Sequence, residues 1–119
     1  MRQGDIYFVH LPCHMGSVEG GYRPVVIVSS NRGIDTSNAI MVCPITSQHK
    51  QLSCNVDIDW STDYNLKSQV LCNQIMTIPK YELLSASRVG YVTIKELQKM
   101  AVAMLISLDI KTNYDEVRI

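Results

Sequence analysis

The sequence predicts a mainly β fold, a small and strongly curved sheet or barrel, with one amphipathic helix at its C-terminal end. Short apolar runs rich in β-branched and aromatic residues recur between polar turns as far as Ile75, as the strands of such a sheet would. From Thr93 onward the apolar residues recur every three or four positions instead, which is helical spacing. The chain of 119 residues matches one compact domain over residues 1–119, a size that buries roughly 60 to 70% of the unfolded surface around one core.

Each element follows from local pattern. Ile6 to Leu11 is β-branched and aromatic and ends at Pro12. Val25 to Ser29 is a continuous apolar run, so it reads as a buried strand. Ile40 to Cys43 is a third strand, closed by Pro44; Val56 to Trp60 alternates apolar and acidic residues as a half-exposed strand would; Val70 to Ile75 is a fifth. Thr93 and Glu96 form a T-x-x-E capping box, and Ile94, Leu97, Met100, Ala101, Met104, Leu105 and Leu108 then define the helix face that packs on the sheet, with methionine as core filler. Lys111 to Ile119 is a mixed polar tail.

Composition excludes several classes. Eleven Lys and Arg balance eleven Asp and Glu, so the chain is no sequence-blind cationic clamp, although a local patch on a neutral protein can still grip a few phosphates. Cys13, Cys43, Cys54 and Cys72 form no C-x-x-C pair and have no histidine at ligand spacing; free, mostly buried thiols are expected, with neither a metal nor another cofactor. No apolar run approaches the ~20 residues of a membrane span, and the start is a poor signal peptide, so a cytoplasmic protein without membrane contact is expected.

Three segments carry chemistry: G-D-I-Y at 4–7, G-S-V-E-G-G-Y-R-P-V-V-I-V-S at 16–29 and P-I-T-S at 44–47. Together with V-L-C-N-Q-I-M-T-I at 70–78, this ordered set resembles the MazF/PemK family of toxin endoribonucleases over about residues 3–108. The resemblance implies an SH3-like, partly open β-barrel with a C-terminal helix, working as a homodimer. It further implies the toxin half of a type II toxin–antitoxin pair, cutting single-stranded RNA without a metal to 2′,3′-cyclic phosphate and 5′-hydroxyl ends. RNA would cross the dimer interface, and an acidic segment of a cognate antitoxin would compete for that groove. The family pattern assigns Thr46 to catalysis and Ser17 to holding the scissile phosphate.

Chemistry can be weighed beside the resemblance. Metal-free RNA cleavage needs the 2′-hydroxyl in line with phosphorus, charge on the phosphorane offset, and the leaving oxygen protonated. Arg23 is a permanently charged planar fork at a strand start where Pro24 fixes the backbone, and stabilising the phosphorane suits it better than proton transfer. Thr46 can donate to a phosphate oxygen without ionising. Gly16, Gly20 and Gly21 let the loop bend and bring backbone close to a phosphate. Glu19 is the nearest acid and a candidate proton carrier beside His10, His14 and His49. Asn73, Gln74 and Ser47 are candidate RNA contacts, with the Gln74 amide suited to a base edge. By residue type alone, Arg23 could also be a surface cation paired with Glu19 or Asp5, and Thr46 an ordinary turn threonine.

The sequence departs from the family pattern in places. Val18 and Glu19 stand where relatives read Glu and Gln; Asn73 and Met76 stand where an acid and an arginine are usual; Pro79 and Glu82 fall in a usually charged stretch. These departures keep an alternative in view: a non-cleaving toxin of the CcdB kind acting on a protein such as DNA gyrase. A housekeeping interaction module is a third reading.

Overall fold

Strand β1 (Asp5–Leu11) buries every residue but Phe8 and His10, because Ile6 packs in a core cluster on one face and Tyr7, Val9 and Leu11 in another on the opposite face. Its neighbours are β2 (Gly21–Ile27) and β7 (Arg88–Tyr91), both antiparallel. The remaining strands are β3 (Ala39–Thr46), β4 (Asn55–Ile58), β5 (Ser68–Leu71) and β6 (Met76–Pro79); the helices are α1 (Asn31–Thr36), α2 (Lys80–Leu84) and α3 (Ile94–Leu108). These elements come from a computed structural model that describes residues 1–11, 20–60 and 68–111.

The seven strands among the described residues make one antiparallel sheet in the order β4-β5-β3-β2-β1-β7, with β6 also paired to β3. Among the described residues the sheet does not close on itself, so the mainly β, open architecture with a C-terminal helix is the one expected. Side-chain alternation splits the interior in two. Ile6, Val26, Cys43 and Ile45 point to a cluster shared with Met100 and Ala103 of α3. Their chain neighbours Tyr7, Val25 and Val42 point to a second cluster, closed by Ile34 of α1 and Leu83 of α2.

Strand β3 organises this sheet. Along one edge it meets β2, through Ile27 with Val42 and Val25 with Pro44. It meets β6 up to Val42 and β5 from Ile45. Pro44 therefore does not close the strand as expected, because it falls in the interval between β6 and β5, where a missing N–H costs little. The run Val70 to Ile75 is likewise not one strand. The Gln74 N–H bonds the Leu71 carbonyl at 3.1 Å, closing a turn that separates β5 from β6.

Two further departures have physical causes. Residues 30–38, which carry no apolar run in the sequence, contain α1, which Ser30 caps by accepting the Gly33 N–H at 3.0 Å. The capping box of α3 forms as expected: Thr93 accepts the Glu96 N–H at 3.1 Å, and Glu96 accepts the Thr93 N–H at 2.8 Å. Glu96 also accepts the Asp59 N–H at 2.8 Å, fastening the helix to the chain after β4. The buried face of α3 is narrower than its apolar pattern: Met100 and Ala103 are buried, while Ile94, Leu105 and Leu108 are exposed.

At the β7 edge, buried Asp5 accepts from Arg88 Nε at 3.0 Å and from the Arg2 N–H at 2.8 Å. Burial, and then the Asp5 carboxylate beside it, push the Tyr7 phenol up, with Arg88 opposing.

Candidate functional site

The site begins where β2 and β3 end their pairing. Val25 faces Pro44, and two residues further along the two strands stand Arg23 and Thr46. Both line one cleft of about 180 Å³, together with Ser47, Phe8 and Trp60. The sheet thus brings together a cation and a hydroxyl that lie 23 positions apart in the chain.

Arg23 is half-buried, and its Nε–H donates to the Gly20 carbonyl at 3.0 Å. That bond fixes the plane of the guanidinium. Gly20 is buried, and Gly21 next to it has φ +79°, a left-handed conformation that a side chain would strain. The glycines before Arg23 therefore aim it. Asp5, considered as its partner, is instead committed to Arg88 and Arg2.

Thr46 is buried to 6% exposure, and its Oγ1 accepts the Gln48 N–H at 3.1 Å. The hydroxyl keeps its own proton to donate. Its partner across β5 is Gln69, a residue that the sequence does not single out. Buried Gln69 accepts from the Lys50 N–H at 3.0 Å and from Asn55 Nδ2 at 3.2 Å. Its own amide donates to the Lys50 carbonyl at 3.2 Å and to Asp57 Oδ1 at 2.9 Å. Each donor and acceptor of this buried amide has a partner, so residues 48–50 are held against the sheet rather than left to the loop. Only strand pairing reveals this role.

Thr46 also lines a second cleft of about 160 Å³, with Lys50, Asn73 and Gln74. The turn between β5 and β6 delivers Asn73 and Gln74 there. The two clefts meet at Thr46. Their described linings contain the cations Arg23 and Lys50 and no carboxylate, which gives a neutral protein a local anion-favouring surface. Met76 lies in neither cleft; it is half-buried against the core cluster of Val42.

Gly16, Ser17 and Glu19 of the opening loop, with His14 and Cys13, lie outside the described residues. His10 is exposed beside Tyr22, and His49 is exposed, its Nδ1 3.8 Å from Asp57. Cys43 and Cys72 are buried thiols and Cys54 is half-buried, all free. A hydrogen bond to Cys72 and then burial push the Cys43 thiol up, so it stays protonated and inert. Among the described residues no group of three His, Cys, Asp or Glu is placed to hold a metal ion, and no helix is long and apolar enough to cross a membrane.

Known proteins give this arrangement a family. Residues 2–108 match the family described as PemK-like, MazF-like toxin of type II toxin–antitoxin system. The chain is 34% identical over 116 residues to the endoribonuclease MazF of Staphylococcus saprophyticus, with 94% of each chain covered. Its fold is similar to MazF from Deinococcus radiodurans, with TM-score 0.75 and 16% identity, covering 92% of this chain and 97% of that one. It is also similar to an endoribonuclease solved with its cognate antitoxin from a mycobacterial species, with TM-score 0.72 and 22% identity over 95% of this chain and 99% of that one. A family match that runs from β1 through α3, with a relative aligned nearly end to end, shows that this chain belongs to the PemK-like, MazF-like toxins of type II toxin–antitoxin systems.

Proposed function

We propose that the protein is an endoribonuclease that cuts single-stranded RNA without a metal, leaving 2′,3′-cyclic phosphate and 5′-hydroxyl ends. The observation that carries this reading is the meeting of Arg23 and Thr46 in one cleft, in a chain of this family. The scissile phosphate lies between them. Arg23 offsets the charge that grows on the phosphorane, and the Thr46 hydroxyl donates to a non-bridging oxygen. Because the Gly20 carbonyl already orients Arg23 and the Gln48 N–H already orients Thr46, little reorganisation remains for the moment of reaction.

Ser17 and Glu19 are assigned from the sequence, Ser17 as a further donor to the phosphate and Glu19 as the proton carrier. Gly16, Gly20 and Gly21 bring backbone close to the phosphate, Ser47 sits at the cleft wall, and Asn73 and Gln74 contact flanking nucleotides in the adjoining cleft. The working unit in this reading is a homodimer in the cytoplasm. A cognate antitoxin with an acidic segment occupies the same cation-lined groove, consistent with the antitoxin complex known for a relative in fold.

The test is a long unstructured RNA incubated with purified protein and excess chelator. Fragments ending in cyclic phosphate are expected. Intact RNA at protein concentrations that saturate binding would overturn the reading and favour a protein target.

A further inference from the structure

We propose that Tyr22, stacked on Phe8, forms a platform on which an unpaired base of the bound strand stacks beside the Arg23 cleft. This inference rests on the single-stranded RNA reading given above. Tyr22 is 61% exposed on β2, directly opposite His10 and diagonal to Phe8 on β1. Its ring lies 5.4 Å from that of Phe8 at an interplanar angle of 22°, a stacked pair. His10 packs against the same tyrosine at 4.8 Å and 49°. On the far side, Phe8 reaches Trp60 at 6.4 Å and 57°. Four rings therefore form one row across two strands and the segment that follows β4.

The row is continuous with the cleft. Phe8 and Trp60 line the cleft of Arg23 and Thr46, and Phe8 with Tyr22 lines an adjoining cavity of about 540 Å³ whose rim carries Ser85 and Ser87. That volume lies within the range of small-ligand sites. Strand pairing holds the backbone of Phe8, His10 and Tyr22, so part of the ordering entropy is spent before a ligand arrives. An exposed tyrosine in contact with water on a rigid aromatic base contributes little to folding compared with a buried one. A cation for the backbone next to flat π faces for bases, with no carboxylate in the described lining, is the combination by which single strands are bound. A folded duplex would not fit this arrangement, because its bases are already stacked and their faces hidden.

Binding, rather than cleavage, tests the platform. The probe is a 2′-O-methyl RNA of about 12 nucleotides containing all four bases, which lacks the attacking hydroxyl, set against the same backbone with the bases removed. Trp60, the chain's only tryptophan, lies in the neighbouring cleft and reports occupancy by its fluorescence. Tyr22→Ala should weaken the base-bearing probe about tenfold or more and leave the abasic probe within about twofold, whereas Tyr22→Phe retains binding. Arg23→Ala should weaken both. Equal loss on the two probes, no loss on the base-bearing one, or no binding of it by the wild-type protein overturns the platform. The cleavage reading fails separately, if long RNA stays intact while Tyr22-dependent binding persists.

Discussion

Arg23 and Thr46 stand two residues beyond Val25 and Pro44, the last pair of the β2–β3 ladder, and face one cleft. Strand register places them, so their relative position is as rigid as the sheet. A function that depends on both should fail when either is altered, but in different ways.

For Arg23→Ala, the expected outcome is a fall in the single-turnover cleavage rate of about 10²-fold or more, ~2.7 kcal/mol, the scale for losing one transition-state donor. Folding should change little, since Arg23 is a partly exposed side chain at the start of β2 and not a member of either core cluster. A loss below about fivefold in a folded variant removes Arg23 from the centre of the mechanism.

Thr46→Val keeps the shape and deletes the hydroxyl, so it removes a donor to phosphate and the acceptor for the Gln48 N–H. Cleavage should fall by about tenfold or more and stability by about 1 kcal/mol. Thr46→Ser restores both groups. If Thr46→Val cleaves like the wild type, the hydroxyl has no part in the reaction.

Gln69→Leu leaves the Lys50 N–H and carbonyl and the Asn55 amide without their buried partner. A destabilisation of about 2 to 3 kcal/mol is expected in urea unfolding. Because Gln69 pins Lys50 at the second cleft, RNA affinity should drop in the fraction that stays folded. Unchanged stability would mean that water replaces the network.

A Cβ at Gly90 would come within 3.0 Å of both the Trp60 ring and the Trp60 carbonyl. Gly90→Ala should therefore cost about 1 to 3 kcal/mol and shift the emission of Trp60, because backbone cannot yield as a side-chain tip can. An unshifted spectrum with full stability would contradict the close packing of β7 on that tryptophan.

The Tyr7 phenol holds its proton to higher pH in the folded chain than in the unfolded one, where the ordinary value is about 10. The folded state binds more protons in that window, so this contribution is complete below about pH 10 and is lost as pH rises through the raised value. Tyr7→Phe should therefore show a flatter decline in stability from about pH 10 upward, read from unfolding at a series of pH values. A slope equal to that of the wild type assigns the alkaline loss to other groups.

What the sequence discloses and what it withholds have the same physical root. β1, β2, β3 and α3 carry their own signatures, because apolar periodicity and a capping box are local and strong. α2 is five residues long and β7 an edge strand of which no residue is buried, so neither has a periodic core face to read. The Val70 to Ile75 run conceals a turn because Cys72 and Ile75 are apolar wherever the chain goes. In the site, Arg23 and Thr46 are legible by residue type and by likeness to a family. Gln69 and Lys50 are not, because their importance comes from hydrogen bonds between segments 19 residues apart.

The three-partner pairing of β3 has a consequence for biogenesis. When the chain has been synthesised only through Thr46, β2 is available but β5 and β6 are not. One edge of β3, bearing Ile40, Val42 and Ile45, then waits unpaired with its backbone donors and acceptors open to any other strand. The nascent chain is most exposed to intermolecular pairing during the interval from residue 46 to residue 79, so crowded synthesis should trap misassembled chains there before a toxin exists.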